Sequence, residues 1–251
     1  MRFSMVVFSA AGHTMKVARH IAEQMGGIDK IVDLSDPFLK EIAFAKDDQV
    51  IVACPVYGGR IPSLVVERIR KVSFDSTRVV TLVTYGNRAY EDALLELNDT
   101  VLARGAIPIA SAAIVAQHSM LPTVAANRPT ETDYQNLGVF ARFALQKYDE
   151  MHPVPVEVPG SRPYRDWSKM PVTPIVSNKC VRCGLCIRQC PTMAIWITDP
   201  KKTDASKCIL CMRCVATCPQ GARSLPPAAQ EAIKKKLAPV AKMVRENEFF
   251  F

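Results

Sequence analysis

RFSMVVFSAAGHTMKVARHIAEQMGG, residues 2–27, reads as a strand, a tight loop and a helix in unbroken succession. Residues 2–9 form a short, mostly apolar run, as a strand buried on both faces requires. The loop Ser9-Ala10-Ala11-Gly12-His13-Thr14 follows at once. Ala18, Ile21, Ala22 and Met25 then recur at helical spacing, and Gly26-Gly27 ends the helix. Hydroxyls, a glycine and the free N–H groups of a helix start make a site for a phosphate. The loop has no lysine, so it is not the P-loop of a nucleotide hydrolase.

The same alternation continues outward. IDKIVDL (28–34) is a weaker, edge-like strand, and QVIVACP (49–55) a strongly buried one. Pro62 opens a helix running to about Lys71, with proline where a first turn tolerates it. TRVVTLVTYG (77–86) is the next strand, followed by a helix with Tyr90, Leu94, Leu97 and Val101 on one face. IPIASAAIVAQ (107–117) is the fifth strand. Thr130-x-x-Asp133 has the form of a capping box, starting a helix with Tyr134, Leu137, Ala141, Ala144 and Tyr148 on one side. Five strands alternating with helices predict an α/β fold, a parallel sheet covered on both faces. Such sheets bind ligands beyond the carboxyl ends of their strands, which directs attention to the loops after Phe8, Ala53, Thr84 and Ala116.

Two of those loops share a composition. Pro55-Val56-Tyr57-Gly58-Gly59-Arg60 and Tyr85-Gly86-Asn87-Arg88-Ala89-Tyr90 each set an aromatic and a glycine at the sheet's carboxyl edge. A flat ring system needs aromatic walls to stack on and exposed amides for its heteroatoms; a tricyclic flavin with its phosphate in the 9–14 loop meets that description. The element order and the three loops resemble flavodoxin over about residues 1–151. The resemblance implies a five-stranded parallel sheet of order 2-1-3-4-5 and FMN bound by residues 9–14, 55–59 and 85–90. Ala11 stands where flavodoxins carry a hydroxyl residue, so one phosphate hydrogen bond is missing, and His13 is the neighbour placed to replace it. Plain strand-end packing for Tyr57 and Tyr85, and a surface ion pair for Arg88, are the alternatives. His118 follows the fifth strand and reads as a loop histidine bordering the same site.

From His152 to Asn178 six prolines break any regular element, giving a linker over 152–178. Its Tyr164 and Trp167 predict that parts of it pack on the first domain. Cys180, Cys183, Cys186 and Cys190 then follow C-x2-C-x2-C-x3-C-P, and Cys208, Cys211, Cys214 and Cys218 repeat the pattern 28 residues on. Zinc sites instead use two separated C-x-x-C pairs. The segment 179–225 resembles the bacterial two-[4Fe-4S] ferredoxin domain, which implies two cubanes, with each fourth cysteine crossing to the other cluster. Cys218 thus joins Cys180, Cys183 and Cys186, while Cys190 joins Cys208, Cys211 and Cys214. PVYGGRIP and YGNRAYEDALLEL, joined to this tail, resemble the flavodoxin–ferredoxin fusion family.

Composition sets the remaining bounds. Of nine cysteines only Cys54 stands outside the two groups, at the end of an apolar run, as a buried structural thiol does. No apolar run reaches the roughly 18 residues of a membrane span, and the short apolar start lacks the length of a signal peptide. The expectation is a cytoplasmic protein. The net charge of +8 divides as −1 over residues 1–151 (16 basic, 17 acidic) and +9 over 152–251 (16 basic, 7 acidic). No nucleic-acid motif accompanies the basic half, so nucleic acid is not an expected partner. A basic face around the clusters instead suits redox partners such as acidic carriers. Residues 226–251 read as a basic helical tail whose Phe249-Phe250-Phe251 end folds back onto the body or, as the alternative, onto a partner, since three phenylalanines in water invite aggregation. The functional expectation is an electron-transfer flavo-iron-sulfur protein of anaerobic metabolism. The competing one is a flavin-dependent reductase of a small substrate, fed by its own clusters, with Tyr85, Arg88 and His118 around the pocket. A redox sensor lacks any signalling segment.

Overall fold

The computed structural model describes residues 2–251. The chain runs β1 (Phe3–Val7), α1 (His13–Gln24), β2 (Ile28–Asp33), β3 (Ile42–Phe44), β4 (Val50–Pro55), α2 (Ser63–Ile69), β5 (Val72–Phe74), β6 (Arg78–Tyr85), α3 (Ala93–Leu102), β7 (Ile107–Val115) and α4 (Glu131–Lys147). A cysteine-rich segment follows with β8 (Ile175–Val176), α5 (Leu185–Arg188), α6 (Arg213–Ala216) and β9 (Arg223–Ser224). The chain closes with α7 (Pro227–Leu237) and β10 (Glu248–Phe250).

The main sheet has the order β10-β7-β6-β4-β1-β2. From β7 to β2 every pairing is parallel, and these five strands keep the expected 2-1-3-4-5 order. The sixth is a correction: β10 adds an antiparallel edge, with Phe249 opposite Ala112. The tail is therefore not helical throughout, because the unpaired edge of β7 offers its final residues a ladder of hydrogen bonds. Another pair went unforeseen. Three-residue β3 and β5 form a small separate parallel sheet, too short to leave a periodic signal.

The central strands β1, β4, β6 and β7 are buried on both faces because helices cover both, while edge strand β2 is largely exposed. Phe3, Met5 and Val7 point to one side with Ile51, Leu82 and Ile114, under α1 and α4. Val6, Val52, Cys54 and Val83 point to the other, under α2 and α3. The period of two in the strands sends alternate residues to the two cores. The capping box at α4 forms: Thr130 takes Asp133's backbone N–H, and the Asp133 carboxylate takes that of Thr130.

The proline-rich segment crosses the first domain in extended form. Asp92, buried, accepts the N–H groups of Ser161 and Arg165, both at 2.8 Å. Arg162 pairs with Asp99, and Val156 N–H reaches Pro108 O. A third apolar cluster joins the halves: Val124 of the first domain packs with Leu210, Met212 and Leu225 of the cysteine-rich segment and with Ile233 and Leu237 of α7.

Candidate functional site

The loop between β1 and α1 is shaped by Gly12, at φ +94°, which turns the chain into the helix in a conformation glycine adopts without strain. The Ser9 hydroxyl accepts the Met15 N–H at 3.0 Å, in the manner of a helix cap. The N–H groups of residues 11–14 have no protein acceptor among the described residues and sit at the positive end of α1. Thr14 Oγ1 and Thr84 Oγ1 lie 2.6 Å apart beneath the loop. Burial, then Lys16, lowers the His13 pKa, which favours the neutral imidazole. An amide nest of this kind suits a phosphate even with Ala11 in place of a hydroxyl.

From this loop a cavity of about 190 Å³ runs under the sheet's carboxyl edge. Pro55, Val56, Tyr57 and Gly58 form one wall, Tyr85, Gly86 and Arg88 another, and Trp167, Met170, Ile209 and Leu210 a lid. Gly58 lies flat against the Trp167 indole, so that a Cβ there would fall within the ring. Gly86 is seated on His118 in the same way. Burial, then Arg88, lowers the His118 pKa to about 4, so the ring stays uncharged near neutrality. No carboxylate lines this cavity, while Arg88, Lys169 and Lys236 do. Arg88 is held by Glu91 in a two-pronged pair at 2.8 Å. Ala10 and Ala11 also border a wider groove of about 580 Å³, with Ser9, Gly12, Ser35, Arg188 and Arg213 around it. Flat apolar walls at one end and unbonded amides at the other fit FMN: Tyr57, Gly58, Trp167 and Leu210 for the ring, residues 11–14 for the phosphate.

The eight clustered cysteines surround two small cavities. Cys180, Cys183, Cys186 and Cys218 line one, and Cys190, Cys208, Cys211 and Cys214 the other. Among the described residues no three His, Cys, Asp or Glu side chains converge on a single-ion position. The sulfurs stand around a space instead, as a four-iron cubane needs. Gly184 and Met212 both take left-handed backbone at the starts of α5 and α6, the same turn built twice. Burial pushes the Cys211 and Cys214 thiols up to about 12 and 11 as free acids; bound iron reverses this by holding them as thiolates.

The structure brings Ala10, Ala11, His13, Thr14, Pro55, Val56, Tyr57, Gly58, Tyr85, Gly86 and Arg88 to the same cavity. Five other expected residues do not line it. Ser9 and Gly12 belong to the phosphate loop and border the outer groove. Gly59 packs on Glu91. Asn87 donates to the Val240 and Met243 carbonyls, both at 2.9 Å, and Tyr90 donates to Glu248 at 2.6 Å. Asn87 and Tyr90 thus hold the tail through their side chains. The lid residues Trp167, Met170, Ile209 and Leu210 went unread because they reach the site only through tertiary packing. Cys54 is buried, and burial raises its thiol pKa, as for an inert structural cysteine.

Fold and site together define a flavin and iron–sulfur electron-transfer protein. A family model described as flavodoxin domain matches residues 4–155, and one described as 4Fe-4S dicluster domain matches residues 179–223. The chain belongs to the flavodoxin domain family, and its ferredoxin-type segment makes it a flavodoxin–ferredoxin fusion with FMN and two [4Fe-4S] clusters as cofactors. Among solved structures it is similar to oxidised flavodoxin 1 from Bacillus cereus, at 15% identity and TM-score 0.43, covering 58% of this chain and 98% of that one. A flavodoxin from Streptococcus pneumonia TIGR4 aligns at 18% identity and TM-score 0.42, over 59% of this chain and 99% of that one. Rubredoxin oxygen:oxidoreductase from Desulfovibrio gigas aligns at 17% identity and TM-score 0.41, over 59% of this chain and 37% of that one. The search of curated proteins found no match. No helix among the described residues is long and apolar enough to cross a membrane.

Proposed function

We propose that this protein passes electrons between FMN and its two [4Fe-4S] clusters, joining two-electron to one-electron carriers. One observation carries the reading: the cavity built by the flavodoxin loops is closed by Ile209 and Leu210, which lie between cluster cysteines Cys208 and Cys211. Flavin exchanges one or two electrons and a cubane normally passes one, so their apposition makes a converter whose spacing the protein sets. The lid of Trp167, Met170 and Leu210 also supports a carrier over a reductase. It closes over the ring site, where a substrate would have to stack. The reading includes a reducing, cytoplasmic setting in anaerobic metabolism, in keeping with exposed cluster ligands such as Cys183.

Purification without oxygen should give about eight irons, a like amount of sulfide and one FMN per chain. Iron without flavin, even after added FMN, would remove the converter reading. The basic C-terminal half supports an acidic redox protein as partner. Electron transfer to an acidic carrier should then fall at least tenfold as salt rises from about 20 to 300 mM, as field complementarity requires. A flat salt profile would leave the charge as plain surface solvation.

A further inference from the structure

The two cubanes are not equivalent toward the flavin cavity. We propose that the cluster of Cys190, Cys208, Cys211 and Cys214 is the inner one, trading electrons directly with FMN. The cluster of Cys180, Cys183, Cys186 and Cys218 is the outer port toward a one-electron protein partner. This order rests on the flavin reading above.

Four contacts place the inner set. Ile209 and Leu210 line the FMN cavity while also bordering the space ringed by those four cysteines. Ile209 and Cys211 pack against the flavodoxin core cluster that contains Tyr57 on its margin. Lys169, itself in the FMN cavity wall, donates from Nζ to the Ala205 and Cys208 carbonyls, both at 2.5 Å. A positive charge thus stands between the ring site and the inner cubane. Arg213, between Cys211 and Cys214, reaches the other end of the FMN site, donating to Ser9 O at 3.2 Å and Ser35 Oγ at 2.5 Å.

The outer set has none of these contacts. No residue from 179 to 190 lines the FMN cavity. Cys183 is exposed, Val181 is 65% exposed, and Lys179 and Arg182 stand in solvent nearby, while Arg188, between Cys186 and Cys190, borders the outer groove beside the 9–12 loop. With the cofactors bound, Ile209 and Leu210 would be the wall that each electron crosses between the ring site and the inner cysteines. A two-electron donor would supply two such electrons one at a time and release its protons to water, and the outer cysteines would hold the group that hands each electron to an oxidised one-electron protein.

The test is an EPR-monitored redox titration of both clusters in the full chain, with flavin content measured first. Cys183→Ser alters the spectrum of the outer cluster and so marks it. Stripping FMN should then shift the potential of the unmarked cluster, with a smaller shift or none in the marked one. Lys169→Met should lower the potential of the unmarked cluster alone, since a cation beside it stabilises the more negative reduced state. An equal or larger shift of the marked cluster, in either experiment, overturns the order. If Cys183→Ser fails to assemble, Arg182→Glu marks the outer cluster by lowering its potential instead. A protein that binds no flavin at any concentration removes the flavin reading itself; flavin bound with the shifts reversed removes only the order.

Discussion

Gly58→Val should raise the Kd for FMN roughly 30- to 100-fold, a loss of about 2–3 kcal/mol. Gly58 has φ +64°, where a β-branched residue is strained by about 1–3 kcal/mol, a cost carried with or without FMN that falls on stability. Its missing Cβ is also the surface on which the Trp167 indole lies. A valine must push the indole away, and the indole is one wall of the ring site. The two costs separate in a double-variant cycle. Trp167→Ala alone removes the wall and weakens FMN. In the pair Gly58→Val with Trp167→Ala the overlap disappears while the backbone strain persists, so the combined loss should fall short of the sum. Titration of FMN fluorescence reads all four affinities. A Gly58→Val protein within threefold of the parent would mean that the ring does not use this wall, and the site would have to be sought in the outer groove beside Arg213.

How far this site was readable follows from the physics of each part. The loop at 9–14 was legible because strand, loop and helix are adjacent in sequence and the helix start dictates where unbonded amides point. The two groups of cysteines were legible because all eight lie within 39 residues, where spacing alone suggests the turn. Four of the five parallel strands showed as apolar runs because both their faces are buried, and Thr130 with Asp133 marked the start of α4. The lid was not legible. Trp167, Met170 and Leu210 meet Tyr57 across more than a hundred residues, and no local pattern encodes that meeting. Trp167 and Tyr164 did signal that the proline-rich segment packs on the first domain, and Tyr164 indeed donates to Asp99. The bonds of Asn87 and Tyr90 to the tail were hidden for a related reason. Their sequence places them in a cofactor loop, but a tail more than 150 residues away offered carbonyls and a carboxylate to their polar groups. The strand β10 was hidden by its length and its charged neighbours. Only the phenylalanines hinted at it, through the cost of leaving them in water.

Deleting residues 247–251 should destabilise the protein by about 3–6 kcal/mol and lower its Tm by about 10 °C. Phe249 stacks on Phe140 with ring centroids 5.1 Å apart, and Phe250 packs on the opposite core. Burying each such side chain contributes roughly 1.5–3 kcal/mol, less for partial burial. Asn247 adds polar bonds, accepting the Val115 N–H and donating to Asp133, both at 2.9 Å. Each contributes about 1 kcal/mol, and more where its loss strands a buried partner. Single changes should divide this sum unequally: Phe249→Ala should cost about 2 kcal/mol, while Phe251→Ala, at a site 47% exposed, should cost well under 1. The truncated chain also bares the edge of β7, so it should aggregate on heating where the parent does not. A second effect distinguishes this tail from a mere edge cover. Glu248 holds the Tyr90 hydroxyl, and the Val240 and Met243 carbonyls hold Asn87, on either side of Arg88. Loss of β10 should free the 85–90 loop and weaken FMN severalfold even at temperatures where the truncated chain stays folded. Unchanged Tm would show that β10 does not form in solution; a lowered Tm with unchanged FMN affinity would show that the tail stabilises the sheet without shaping the flavin site.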